Sequence, residues 1–225
     1  MASALRMLLS EPVLMPRSRC RNCNRPLNWR DLLPILSWCH NAGRARCCGV
    51  RISAIYSLAE LASAWLAAGL VILTSPLTAF CLFIYIHCIV IIFITDMFRR
   101  IIYLPVLVVM GLAAMGGIAE PHLHSIQIML SAGIAGICCI WGAETGYRII
   151  RKQQGMGSAD KWLAGALGLW TGSEQLIFII LCACLIGFIH SGYLAAKHNF
   201  STQTRLPFGS YLCAASLPFV LLQFL

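Results

Sequence analysis

Two aspartates stand out because charged residues are scarce around them. Asp96 follows a long apolar run and precedes Arg99 and Arg100, whereas Asp160 ends a glycine-bearing segment and begins the next apolar stretch. Carboxylates at membrane depth are energetically costly and usually functional. Two of them brought together share a proton, so that one can act as a base and the other as an acid in activating water against an amide. The sequence predicts Asp96 and Asp160 as such a catalytic pair.

Two glycines precede the second aspartate, in the segment Gly155-Met-Gly157-Ser-Ala-Asp160. Since glycine lacks a Cβ, Gly155 and Gly157 would let a peptide backbone approach the pair closely, and we predict them as substrate-binding positions. Simpler roles remain open for both acids. Asp96 could be a loop acid that pairs with a neighbouring arginine, and Asp160 could cap the N-terminus of the helix that follows.

Five of the 12 cysteines lie in the first 51 residues. Cys20 and Cys23 have the spacing of a zinc knuckle, and a second thiol group, Cys47 with Cys48, follows after about 25 residues. A cytoplasmic location disfavours disulfides. We predict structural zinc on Cys20, Cys23, Cys48 and, as fourth ligand, Cys47, with Cys39 as the alternative because adjacent cysteines strain to reach one centre. The other seven cysteines lie in apolar runs and are predicted to be packing residues.

The elements that carry these residues are apolar helices. Of the 225 residues, 59% are hydrophobic and 11% are charged, whereas a soluble domain has about 25% charged residues. Six apolar runs approach the ~20 residues that cross a bilayer; they are 52–73, 77–95, 101–119, 126–143, 176–196 and 206–225. We predict an all-α, polytopic membrane helix bundle of about six to seven spans. The shorter stretch 162–170 is expected to be a short or tilted helix, or a re-entrant one packed inside protein.

The chain divides by composition into residues 1–51, a polar cysteine-bearing head, and residues 52–225, the membrane domain. The net charge of +9 comes from lysines and arginines that collect in the head and in alternate loops, which is the positive-inside pattern. This pattern predicts a cytoplasmic N-terminus, a cytoplasmic segment 148–161 and an external loop at His122, with both aspartates at the cytoplasmic face. No cleavable signal peptide is visible. The partner indicated is the lipid bilayer, and no nucleic acid is expected.

The order of these motifs resembles the type 4 prepilin peptidases, also called leader peptidase and N-methyltransferase. The resemblance begins at Cys20 and covers nearly all of the remaining chain. The residues that carry it are Cys20-Arg-Asn-Cys23, Trp29-Arg-Asp31-Leu-Leu-Pro34-Ile-Leu-Ser37-Trp38, Tyr56-Ser-Leu-Ala-Glu60, the segments around Asp96 and Asp160, and Leu206-Pro207-Phe208-Gly209.

The resemblance implies an intramembrane aspartic endopeptidase of the bacterial inner membrane, with Asp96 and Asp160 as its catalytic residues. Its substrates would be prepilin or pseudopilin proteins, whose short basic leader is cut after a glycine at the cytoplasmic face. Many members of the family then methylate the new N-terminus with S-adenosylmethionine. The resemblance also implies the zinc site of the head.

The chain departs from the family pattern at several positions. Ala45 stands where the family has its third zinc cysteine, Ala159 replaces the glycine before the second aspartate, and Ser210 replaces a proline. The family's first membrane helix has no counterpart in residues 1–19. Two other functions therefore remain under consideration: a membrane transporter or channel subunit that uses Asp96 and Asp160 for protons or cations, and a catalytically degenerate relative that binds prepilins. The absence of an internal repeat argues against a transporter.

Overall fold

A computed structural model describes residues 19–20, 22–28, 31, 33, 36–116, 125–152, 157–197 and 206–223. These residues form helices, turns and two isolated β-bridges, and no longer strand occurs among them. The helices are α1 (Leu36–His40), α2 (Ala54–Leu73), α3 (Pro76–Arg99), α4 (Leu104–Ala114), α5 (Ile126–Arg151), α6 (Asp160–Ala196) and α7 (Phe208–Leu222). The predicted all-α fold is confirmed.

Among the described residues, α2, α3, α5 and α6 are long and apolar enough to cross a membrane, and α4 and α7 are shorter apolar helices. Each predicted apolar run overlaps one of these helices, and α4 and α7 cover only part of the runs 101–119 and 206–225. The chain separates into two compact units, Met1–Ile72 and Leu73–Leu225. The first unit holds the five cysteines of the head and nearly all of α2, and the second holds both aspartates.

The long helix α6 reverses direction at Gly172. This residue has φ 78° and ψ 173°, a conformation open essentially to glycine alone. Just before the break, the carbonyl oxygen of Thr171 accepts a hydrogen bond from Gln223 at the end of α7. Well after the break, Gly187 packs against Tyr211 at the start of α7. The segment after Gly172 therefore returns along α7 towards its beginning, and α6 is a hairpin of two arms, residues 160–171 and 173–196.

The first arm of α6 is enclosed by other helices. Its 12 residues extend about 18 Å, too short for a hydrocarbon core of roughly 30 Å. The hydroxyl of Tyr85 in α3 donates to the carbonyl of Ala166 at 3.0 Å, and its ring stacks on Trp170 with 4.9 Å between centroids. The stretch 162–170 was predicted to be a short or tilted helix, or a re-entrant one packed inside protein. In the structure it is a short helix that is packed inside protein. The returning arm instead exposes large apolar side chains, as expected of a lipid-facing surface.

Helix α5 and the first arm of α6 approach closely through glycines. A Cβ on Gly136 would lie 2.6 Å from the carbonyl oxygen of Ala164, and a Cβ on Gly168 would lie 2.5 Å from that of Ala132. Small residues at a helix crossing allow such close approach in membrane proteins. This contact fixes the arm that begins with Asp160.

Candidate active site and cysteine cluster

Asp96 lies in the last turn of α3, with only 6% of its surface exposed. Its Oδ2 atom accepts two hydrogen bonds from Ser210 in the first turn of α7, from the main-chain N–H at 2.6 Å and from the hydroxyl at 3.0 Å. The chain leaves α3 through Arg100, whose left-handed conformation ends the helix and whose cation is near enough to interact electrostatically with Asp96. Asp96 is therefore a buried helical residue rather than an acid of a solvated loop.

Asp160 is the first residue of α6 and is 5% exposed. The N-cap position belongs to Ala159, so the alternative role of Asp160 as the N-cap is not seen. Asp160 Oδ2 accepts a hydrogen bond from the N–H of Gly157 at 3.1 Å, and the Asp160 N–H donates to the Gly157 carbonyl at 3.1 Å. Gly157 thus holds the turn that presents Asp160. Gly155, the other predicted substrate-binding glycine, lies outside the described residues.

The two carboxylates converge on Gly209 at the start of α7. A Cβ built on Gly209 would lie 3.0 Å from Asp96 Oδ2 and 3.2 Å from Asp160 Oδ1. Because both oxygens are that close to a single point, they lie within about 6 Å of each other, a range over which two charges interact strongly. The structure therefore brings the predicted pair together from separate helices. A side chain at position 209 would therefore crowd both carboxylates.

Two contacts near the pair involve residues that sequence reasoning did not assign to the site. Lys161, next to Asp160, forms an ion pair with Glu144 of α5 at 3.7 Å. His190 in the returning arm of α6 forms a hydrogen bond with the hydroxyl of Tyr211, which follows Ser210 in α7. These partners are far apart in sequence, so no local pattern indicated them. Ser210 itself appeared only as a departure from the family pattern.

The head contains two loops of the same construction. In the first, an antiparallel bridge joins Arg19 and Pro26, the Cys20 N–H donates to the Arg25 carbonyl at 2.9 Å, and the Asn24 N–H returns to the Cys20 carbonyl at 2.8 Å. These hydrogen bonds hold Cys20 in a tight turn that includes Cys23.

The second loop repeats this pattern. A bridge joins Arg44 and Arg51, the Ala45 N–H donates to the Val50 carbonyl at 2.8 Å, and the Gly49 N–H returns to the Ala45 carbonyl at 2.7 Å. By these bonds Ala45 is the structural counterpart of Cys20, and both are buried. The second loop therefore has Ala45 at the position where the first loop has Cys20. The thiols of the second loop are Cys47 and Cys48.

The sulfur atoms of Cys20, Cys23, Cys47 and Cys48 all lie within 4.8 Å of one another. The Cys20–Cys48 distance is 3.6 Å, Cys23–Cys47 is 3.4 Å, and the adjacent pair Cys47–Cys48 is 3.9 Å. The adjacent cysteines thus reach one centre together. Cys39, the alternative fourth ligand, is exposed and is not part of this cluster.

The thiols of the cluster have unequal environments. Hydrogen bonds from the main-chain N–H groups of Cys23 and Asn22 lower the pKa of Cys20 to about 6. Thiol contacts with Cys23 and Cys20 raise the pKa of Cys47 to about 12. N–H donors around a sulfur are the surroundings that stabilise a thiolate, the form that binds metals.

The apolar helices and the two converging buried carboxylates define the class of this protein. It is a polytopic membrane protein with an acidic pair, Asp96 and Asp160. Residues 81–192 match the type IV leader peptidase family, and residues 2–74 match the bacterial peptidase A24 N-terminal domain. Curated relatives named prepilin leader peptidase/N-methyltransferase match most of the chain. The chain therefore belongs to the type IV leader peptidase family.

Three relatives illustrate the similarity. The protein of Dickeya chrysanthemi is 31% identical over 211 residues, which is 89% of this chain and 71% of the relative. The protein of Aeromonas hydrophila is 30% identical over 210 residues, with 90% and 70% covered, and that of Pseudomonas aeruginosa is 26% identical over 218 residues, with 90% and 70% covered. No solved structure matches this chain.

Proposed function

We propose that this protein is an aspartic endopeptidase that removes the leader peptide of prepilin-like proteins, with Asp96 and Asp160 as its catalytic pair. The observation that carries the proposal is the convergence of these two buried carboxylates on Gly209 in a member of this family. Family membership also favours the peptidase over a transporter or channel subunit.

The chemistry follows from the geometry of the pair. One carboxylate takes a proton from water while the water oxygen bonds to the scissile carbonyl carbon, and the other carboxyl protonates the carbonyl oxygen. The resulting diol collapses as the C–N bond breaks and the leaving nitrogen takes a proton. Gly209 leaves room for a peptide backbone next to the two oxygens, because a side chain there would contact both.

The substrates proposed are prepilins or pseudopilins, because the relatives are named prepilin leader peptidases. We place the protein in the bacterial inner membrane with its N-terminus and both aspartates at the cytoplasmic face. Support comes from the alternation of basic loops along the chain. The relatives' names also include N-methyltransferase, and for that activity S-adenosylmethionine would be the methyl-donating substrate.

The cysteine cluster fits a structural zinc ion. Four thiolates at about 2.3 Å around a tetrahedral zinc lie roughly 3.8 Å from one another, and the sulfur separations of 3.4, 3.6 and 3.9 Å match that spacing. We propose Cys20, Cys23, Cys47 and Cys48 as the ligands. Zinc with four protein ligands would lock the two loops of the head together.

Co-expression with a prepilin tests the proposed activity. The processed prepilin should migrate faster on a gel, with a new N-terminus immediately after the leader's glycine. A matched prepilin with that glycine replaced by a bulky residue should remain uncut. An unprocessed wild-type prepilin in membranes that contain the inserted protein would favour the degenerate or transporter alternatives.

A further inference from the structure

Among the residues that the structure describes, Asp96 accepts more hydrogen bonds than Asp160 does. Ser210 is the third residue of α7, so its N–H is one of the donors that lack a partner within the helix. This N–H points to Asp96 Oδ2 at 2.6 Å, and the serine hydroxyl reaches the same oxygen at 3.0 Å. Asp96 thereby occupies the N-terminal end of another helix, where the helix dipole favours an anion.

Asp160 has a weaker set of donors within the described part of the chain. There its Oδ2 accepts one N–H, from Gly157 at 3.1 Å. Asp160 also begins a helix, so the number and length of the hydrogen bonds, rather than the dipole, distinguish the two acids. Donors to a carboxylate stabilise its ionised form. Two carboxyls this close retain one proton between them, and the structure favours Asp160 as its location.

We propose that Ser210 is a positioning residue that holds Asp96 as the ionised base of the pair and leaves Asp160 as the acid. The inference rests on the proposed peptidase function and assigns the two roles that function requires. Asp96 then takes the proton from water as the C–O bond forms, and Asp160 gives its proton to the carbonyl oxygen. When the C–N bond breaks, the proton on Asp96 passes to the nitrogen and Asp160 recovers a proton from the diol.

The Ser210 hydroxyl has one hydrogen and two acceptors within reach, Asp96 Oδ2 and a main-chain carbonyl. The hydroxyl lies 3.1 Å from the carbonyl oxygen of Phe93, one turn before Asp96 in α3. Ser210→Ala removes the hydroxyl donor and retains the N–H, whereas Ser210→Pro removes both donors at a first-turn position that tolerates proline. The other ionisable groups described around Asp96 remain in these variants; they are Arg100 on α3, Asp160 on α6, and Tyr211 and Cys213 on α7.

The matched control is Ser216→Ala. Ser216 lies in the same helix and is equally buried, but its hydroxyl bonds to the Cys213 carbonyl within α7 at 2.9 Å. The test measures kcat and KM for leader cleavage by purified wild-type and variant proteins across a range of pH. A base must be ionised and an acid must be protonated, so the low-pH limb of the profile reports the base and the high-pH limb reports the acid.

Removal of a donor makes the ionised form of Asp96 harder to reach, so the limb that Asp96 controls moves to higher pH. For Ser210→Ala we expect the low-pH limb to move up by about one pH unit, which is a tenfold change in the ionisation equilibrium. The KM of Ser210→Ala should change little. Ser210→Thr should restore the wild-type pH profile. Ser210→Pro, if it folds, should shift the low-pH limb further than Ser210→Ala does. Ser216→Ala should keep the wild-type limbs.

Movement of the high-pH limb alone in Ser210→Ala would make Asp96 the acid and overturn the assignment. An unchanged profile, or a uniform loss of activity matched by Ser216→Ala, would also overturn it. Failure of the proposed function has a different signature, because wild-type protein would then not cleave the leader at any pH. An active wild type with an unmoved Ser210→Ala profile contradicts the role of Ser210 alone.

Discussion

Asp96 and Asp160 reach the same point at the start of α7, although one lies in the last turn of α3 and the other begins α6. Each carboxylate is fixed by a donor from a neighbouring turn, Ser210 for Asp96 and Gly157 for Asp160. Gly209 has no side chain that would crowd the two oxygens. The catalytic proposal therefore depends on the start of α7 as much as on the aspartates.

Gly209→Ala should abolish most of the cleavage activity. Its methyl group would lie 3.0 Å from Asp96 Oδ2, 3.2 Å from Asp160 Oδ1 and 2.8 Å from Ile102 Cδ1. Displacement of the acids or of the substrate should lower the cleavage rate at least about tenfold. Cleavage by membranes with equal amounts of inserted protein gives the measurement.

The control for this variant is Gly192→Ala in the returning arm of α6, where an added methyl group meets no atom within 4 Å. It should cleave at the wild-type rate. Full activity of Gly209→Ala would show that the space between the carboxylates is not where the substrate binds.

Gly136→Ala should destabilise the contact that holds the first arm of α6. The new methyl group would lie 2.6 Å from the Ala164 carbonyl oxygen, so the helices must separate. Overpacking of this kind costs about 1–3 kcal/mol, and we expect a lower unfolding temperature in detergent. Gly142→Ala, in the same helix with nothing within 4 Å, should leave that temperature unchanged or slightly raise it. Equal behaviour of the two variants would contradict the close crossing.

In the cysteine cluster, a second substitution should restore the zinc binding that a first one removes. Wild-type protein purified without chelator should contain about one zinc per chain, and Cys47→Ser should lose most of it. Because Ala45 occupies the position that corresponds to Cys20, the double variant Ala45→Cys, Cys47→Ser should regain zinc. Cys39→Ser is the control and should retain the wild-type content, since Cys39 is outside the cluster. Zinc below about a tenth of an equivalent in wild-type protein would reject the site.

The orientation of the chain can be tested with an impermeant thiol reagent. A cysteine introduced at His122, which lies outside the described residues, should react in intact cells above the background of the parent protein. The same change near Gln153, also outside those residues, should react only after the cells are opened. The reason is the concentration of lysine and arginine in alternate loops. The reverse pattern would place both aspartates at the external face.

Sequence patterns predicted most of the fold because a membrane limits the choices. Apolar runs of spanning length must be helices, and each predicted run overlaps a helix. The sequence also separated the stretch 162–170 from the run 176–196, and the break at Gly172 lies in the interval between them. The residue at which the chain turns was not predicted, because it depends on how the two arms pack against the neighbouring helices.

The sequence predicted the two acids of the candidate site but only some of the residues that contact them. Asp96 and Asp160 stand out as rare carboxylates in an apolar chain. Ser210 does not, because its importance comes from a contact between the end of α3 and the start of α7. Likewise, the spacing of cysteines indicated a metal site, whereas the correspondence of Ala45 to Cys20 required the main-chain hydrogen bonds of both loops.

The most direct test of the account is the activity of Asp96→Asn and Asp160→Asn. Each substitution keeps the size of the side chain and much of its hydrogen bonding while it removes the carboxyl group. Both variants should insert into the membrane at wild-type levels. Leader cleavage, read as conversion of a co-expressed prepilin, should fall below detection in each. Complete conversion of the prepilin by either variant would show that the two buried carboxylates are not a catalytic pair.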